Sequence, residues 1–179
     1  MVSKQQTDLL QVKHLSTSFY TGDYEIRAVR DISFFIKKGE SVALVGESGS
    51  GKSVTALSLI QLLPYPIASH PRTKNDVSSI VFEGEELVGI NAKRLSKIRG
   101  NRISMIFQEP NNSLNPLHSI QRQIAETILI HKKMTPEQTT ERVKELLQLV
   151  GMSSSVSRMD ALPHEFSGGQ QQRIMIAMA

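Results

Sequence analysis

The feature that most restricts this chain is Gly46-Glu47-Ser48-Gly49-Ser50-Gly51-Lys52-Ser53, which fits the pattern G-x-x-x-x-G-K-[ST]. It follows the apolar run Ser41-Val42-Ala43-Leu44-Val45, predicted as a buried strand that Gly46 stops, and it precedes a helical pattern from Val54. In that context the glycines let the loop fold back so that several backbone N–H groups converge on phosphate oxygens. The helix N-terminus adds the positive end of its dipole. Lys52 then reaches the β and γ phosphates as a point charge, and the Ser53 hydroxyl ligates Mg²⁺. The candidate phosphate-binding set is Gly46, Glu47, Ser48, Gly49, Ser50, Gly51, Lys52, Ser53 and Val54. The plain alternative is a flexible Gly/Ser loop. The motif leaves open what the nucleotide drives, because kinases, GTPases, helicases and transport ATPases share it.

Composition removes several other chemistries. With no cysteine there are no disulfides, thiolate metal sites or cysteine nucleophiles. The N-terminus has no apolar signal core, and no stretch approaches the roughly 18 apolar residues of a membrane span, which predicts a cytoplasmic compartment. The 21 Lys and Arg against 17 Asp and Glu give only +4, and the cluster Lys93, Arg94, Lys97, Arg99 and Arg102 reads as a solvated helix face rather than a polyanion patch. The five histidines, at 14, 70, 118, 131 and 164, have no metal-ligand spacing.

The chain reads as three regions. Leu9-Leu10-Gln11-Val12 and Ile32-Ser33-Phe34-Phe35-Ile36 are predicted strands, with a turn at Lys38-Gly39-Glu40. A helix from Val54 carries Leu57, Ile60 and Leu63 on one face until Pro64, and residues 64–79 read as a surface loop. Next come a strand at Ile80-Val81-Phe82, a turn at Glu83-Gly84, a basic helix near Ala92 to Ile98 and a strand at Ile103-Ser104-Met105-Ile106-Phe107. The third region is helical. Ile120, Ile124, Ile128 and His131 mark one helix, and Val143, Leu146, Leu147 and Val150 mark another that opens at Pro136 and ends at Gly151. A last helix starts at Ser167, where Met175 and Met178 read as core residues.

That last helix opens with Glu165-Phe166-Ser167-Gly168-Gly169-Gln170-Gln171-Gln172-Arg173, in which Ser167 fits an N-cap and Gln170 the capping-box position. Two glycines there expose backbone N–H groups, making a second anion-ready helix end, although an ordinary capped helix has the same pattern. Ser167-Gly168-Gly169-Gln170, roughly 120 residues after the phosphate loop, resembles the signature motif of ABC-type ATPases. Residues 45–57, Phe107-Gln108-Glu109-Pro110, Ser113-Leu114-Asn115-Pro116 and Met175-Ile176-Ala177-Met178-Ala179 are similar to the oligopeptide, dipeptide and microcin C importer ATPases.

The resemblance implies an α/β P-loop NTPase fold with an N-terminal antiparallel β subdomain and a helical subdomain. Residues of about 1–110 would form the β subdomain and P-loop core, about 111–166 the helical subdomain and 167–179 the signature helix. It implies ATP and Mg²⁺ as ligands, with Gln108 joining Ser53 at the metal. It also implies an aromatic stacked on adenine at Phe19, although Phe19 also reads as strand core and Tyr20 and Tyr24 are neighbouring candidates. Ser167, Gly168, Gly169 and Gln170 would contact the ATP held by a second ATPase domain, and the helical region would carry transmembrane permease subunits fed by a substrate-binding protein. No nucleic acid partner is implied, and the place is the inner face of the cell membrane. The expected activity is an ATPase that drives import of peptides or related small molecules. A soluble ABC ATPase without a membrane partner and a non-hydrolysing nucleotide-binding fragment are the rival readings.

The family's Walker B aspartate, catalytic glutamate and switch histidine are expected to begin roughly 20 residues after the signature. Ala179 arrives nine residues after Gln170. The expectation is therefore a domain truncated before the Walker B strand, which binds ATP without turning it over and has an unpaired sheet edge.

Overall fold

The computed structural model describes residues 8–70, 77–107 and 113–179. Two compact units divide the chain, Met1–Leu95 and Ser96–Ala179.

The first unit is built on a long hairpin. Strand β1 (Leu10–Thr21) runs antiparallel to β2 (Tyr24–Ile36), in register from Leu10 opposite Ile36 to Thr21 opposite Tyr24. The other edge of β1 takes β3 (Ala68–Ser69) and β4 (Ser79–Phe82), and β5 (Glu85–Glu86) follows β4. The sheet order is β2-β1-β4-β5 and every pairing is antiparallel. Leu10, Val12, Leu15, Ile80 and Phe82 are buried on it. The expected strands at residues 9–12 and 32–36 are thus the ends of longer ones. Their middle was hidden because Thr17 and Ser18, both polar, occupy core positions.

Helix α1 (Lys52–Leu59) lies against β1 through a buried hydroxyl pair, Thr17 Oγ1 to Ser58 Oγ at 3.0 Å. It stops well before Pro64, because Gln61 takes a left-handed φ of 55° and Leu62 N–H returns to the Leu57 carbonyl at 2.9 Å.

Two expectations fail here. Residues 41–45 form no strand, and Val42, Leu44 and Val45 are exposed, Val45 at 87%. The run at 103–107 is likewise irregular beyond one isolated bridge from Ile103 to Arg99, with Ile106 and Phe107 exposed. A continuous apolar run suits a strand covered on both faces and paired at its edges. Among the described residues no strand pairs with either run.

The second unit is a three-helix core. Helix α2 (Ala92–Ile98) spans the division between the units, and helices α3 (Ile120–His131), α4 (Pro136–Leu149) and α5 (Gly168–Met178) follow it. Ile120, Ile124 and Ile128 of α3 pack with Val143 and Leu147 of α4 and Ile174 and Met175 of α5, all buried. Each start is capped: Ser119 accepts from Arg122 N–H, and Thr135 forms a capping box with Gln138 behind Pro136. Two short 3₁₀ segments, Ser153–Arg158 and Pro163–Glu165, link α4 to α5. No helix among the described residues is long and apolar enough to cross a membrane.

One histidine gives the first unit a pH dependence. His70 Nδ1 bonds the Ser16 carbonyl at 3.0 Å, while its Nε2 faces Tyr65 Oη at 2.7 Å and Gln61 Nε2 at 3.2 Å. This arrangement suits the neutral ring that donates from Nδ1 and accepts at Nε2. Burial pushes the His70 pKa below its ordinary value near 6.5, against a smaller opposing effect of the Ser16 bond. The unfolded chain therefore binds the proton first, so this contribution is present above pH 6.5 and is lost as pH falls through the lowered value. Melting temperature should drop between neutral and mildly acid pH, and less steeply in His70→Asn. Equal slopes would remove His70 from the account.

Candidate functional site

The loop before α1 closes on its own lysine. Lys52 Nζ donates to the carbonyls of Gly46 at 2.7 Å and Glu47 at 2.6 Å, and Ser50 N–H bonds the Glu47 carbonyl at 3.2 Å. Gly51 caps α1 with φ 89°, a left-handed conformation that side chains resist. Its position is also filled from the sheet: a Cβ there would lie 2.5 Å from the Ala28 carbonyl oxygen. That carbonyl is aimed by a bulge in β2, since Thr17 opposes Val29 but Ser18 opposes Arg27, leaving Ala28 as the extra residue. A Cβ on Gly46 would meet Ser50 Oγ at 2.6 Å, so it would have to push the Ser50 side chain aside.

The donor set suits a phosphate chain. The first N–H groups of α1 have no acceptor within the helix, Lys52 adds a positive charge, and Ser53 at the same end is exposed. A cavity of about 460 Å³ opens beside them, lined by Arg27, Val29, Arg30, Gly46, Ser50 and Lys52. That is within the roughly 300–1,000 Å³ range of small-ligand pockets. For Mg²⁺ the described residues offer the Ser53 hydroxyl and no group of three His, Asp or Glu side chains. A hydroxyl beside bound phosphates is a fitting donor for this hard, water-retaining ion. Gln108, the other expected metal contact, lies outside the described residues.

Strand register sorts the aromatic candidates. Phe19 opposes Ile26 and Thr21 opposes Tyr24, so Phe19 and Tyr24 share a face. Alternation from Thr17, which touches α1, places that face on the α1 side. Tyr20 points the other way with Ser18, and both hydroxyls reach Glu25 Oε1, at 3.5 and 2.8 Å. Phe19 is half-buried, whereas Tyr24 is 79% exposed.

The second expected site is the start of α5. Ser167 Oγ accepts Gln170 N–H at 3.4 Å and Ser167 N–H donates to Gln170 Oε1 at 2.9 Å, the expected capping box. Ser167, Gly168 and Gly169 are exposed. A Cβ on either glycine would meet nothing within 4 Å, and neither has a positive φ. Nothing among the described residues demands glycine there, although glycine is a poorer helix former than alanine. Gln171, which sequence reasoning passed over, is buried and donates from Nε2 to the carbonyls of Pro163 at 2.9 Å and Phe166 at 3.0 Å. It sets where the turn begins. The available signal was a polar residue on the apolar face that holds Ile174 and Met175.

A Gly-Lys-Ser loop folded over the head of a helix and seated by a neighbouring strand defines the P-loop nucleoside triphosphatase class. Residues 29–179 match the profile of the family described as ABC transporter. The chain belongs to that family, whose members are ATP-binding ATPases. It is 52% identical over 171 residues to the peptidoglycan transport ATP-binding protein YejF of Agrobacterium fabrum strain C58, covering 96% of this chain and 30% of that protein. It is 45% identical over 173 residues to the oligopeptide transport ATP-binding protein OppD of Bacillus subtilis strain 168, covering 97% of this chain and 47% of the relative. The chain thus spans half or less of these relatives' length. The ATP-binding cassette MJ0796, solved as a post-hydrolysis dimer bound to ADP and Pi, superposes with a TM-score of 0.76 at 25% identity, over 94% of this chain and 68% of that one.

Proposed function

We propose that this chain belongs to the ATPase subunit of an importer, coupling ATP binding and hydrolysis to uptake of peptides or related small molecules. The relatives' names support the cargo class. The roles follow the two helix starts. The N–H groups of residues 46–54 and Lys52 hold the ATP phosphates, and the adenine stacks on the face carrying Phe19 and Tyr24. Ser53 and Gln108 hold Mg²⁺, which when bound supplies positive charge to the phosphate oxygens.

The carrying observation is the contrast between α1 and α5. The start of α1 has a lysine folded into its loop, whereas the first turn of α5 spends the N–H groups of Gln170 and Gln171 on Ser167 and leaves those of Gly168 and Gly169 facing solvent, with no cation in the turn. Such a turn completes a site whose charge is supplied elsewhere. Ser167, Gly168, Gly169 and Gln170 therefore close over ATP held by a second ATPase domain, in a homodimer, heterodimer or tandem. Permease subunits, with a substrate-binding protein beyond them, complete the machine at the inner membrane face.

Ser167→Ala in the full-length protein tests this. A bond to a charged group contributes about 1.5–3 kcal/mol, so turnover should fall roughly 10- to 100-fold. Binding of a fluorescent ATP analogue should stay nearly unchanged. Equal loss of binding and turnover would remove the two-domain site.

A further inference from the structure

The start of α5 is tied to α4 by one side chain. Helix α4 ends in a Schellman motif, with Gly151 N–H to the Gln148 carbonyl at 3.0 Å and Met152 N–H to the Leu147 carbonyl at 2.8 Å. That motif leaves the Val150 carbonyl, at the negative end of α4, without a partner from its own helix. The last turn of α4 carries no basic residue. The missing donor comes from α5: Arg173 Nη1 bonds the Val150 carbonyl at 2.7 Å.

Two further facts make this contact specific. Gly151 has φ 73°, and a Cβ there would lie 2.6 Å from Arg173 Nη1, so the glycine both turns the chain and leaves room for the guanidinium. Arg173 also sits at the middle of α5, away from the ends where that helix's own dipole acts. Its favourable partner is the end of α4. On the other flank of the same turn, Arg158 lies 5.3 Å over the Phe166 ring and Gln171 holds the Pro163 and Phe166 carbonyls.

We infer that Arg173 is a positioning residue, which locks the Ser167–Gln170 turn to the C-terminal end of α4 so that the two move as one piece. This rests on the reading of that turn as half of an ATP site. A displacement of α4 then reaches the turn through this one N–H donor on the Val150 carbonyl, alongside the packing of Val143 and Leu147 with Ile174 and Met175. ATP held by the phosphate loop of the same chain does not depend on the bond.

The test compares Arg173→Met, Arg173→Lys, Gly151→Ala and the Gly151→Ala/Arg173→Met double variant in the full-length protein, with Ser167→Ala alongside. Arg173→Met should lower kcat about tenfold with KM for ATP and analogue binding within about twofold, and Arg173→Lys should recover part of the rate. Gly151→Ala should reproduce the loss, and the double variant should be no slower than the worse single one, since both break one contact. Amide exchange in the first turn of α5 should quicken in Arg173→Lys while α3 stays protected, a readout that survives if Arg173→Met folds poorly. Wild-type kcat in Arg173→Met, or unchanged exchange in Arg173→Lys, overturns the inference. If Ser167→Ala lowers kcat and Arg173→Met does not, only this inference fails. If neither does, the reading of the turn fails with it.

Discussion

Lys52→Ala in the full-length protein is expected to remove ATP turnover and weaken ATP binding about 100- to 10,000-fold. Lys52 Nζ is the charged group that the loop folds around, held by the carbonyls of Gly46 and Glu47. Two charge-assisted bonds to phosphate, at about 1.5–3 kcal/mol each, account for that range. Lys52→Arg should not restore it, because a planar fork cannot replace the compact ammonium held between the Gly46 and Glu47 carbonyls. The fold should persist, since the loop is exposed and its lysine contacts are local. Titration of the analogue against both variants, with melting curves, separates the outcomes. Near-normal affinity in Lys52→Ala would move the phosphate site elsewhere.

Gly168→Ala and Gly169→Ala should act in opposite directions on stability and function. Each gains part of the about 0.8–1.0 kcal/mol that separates alanine from glycine in a helix interior, since both stand in the first turn of α5. No positive φ and no neighbour within 4 Å opposes the added methyl. The melting temperature should therefore rise for each, by at most about 2–4 °C. Turnover should fall at least about tenfold, because the methyl stands on the exposed N–H groups that the second domain's ATP must approach. A stabilised protein with unchanged turnover would mean that those glycines serve nothing outside the chain.

The sites were legible in the sequence to different depths, and particular residues show why. The phosphate loop, the Ser167 cap and its Gln170 partner are local devices, specified by residues within a few positions of one another. The stripe of Ile120, Ile124 and Ile128 could be read because a helix has its own period. Residues 41–45 and 103–107 have equally clear strand patterns, yet they are not strands. A strand is completed by hydrogen bonds to another segment, and the pattern reports only the preference for one. The β1–β2 hairpin fails in the other direction: Thr17 and Ser18 are buried polar residues that broke the alternation.

By itself the sequence determined the chemistry available at each helix start: glycines and a lysine where α1 opens, a serine, two glycines and a glutamine where α5 opens. It also carried the family likeness, since those short motifs keep their order. Only the tertiary structure decided what holds them. The β2 bulge that aims the Ala28 carbonyl at Gly51 and the bond from Arg173 to the end of α4 both join residues far apart in the chain. Local propensity speaks for a residue and its near neighbours, whereas these contacts depend on register and packing, which are settled only when distant segments meet.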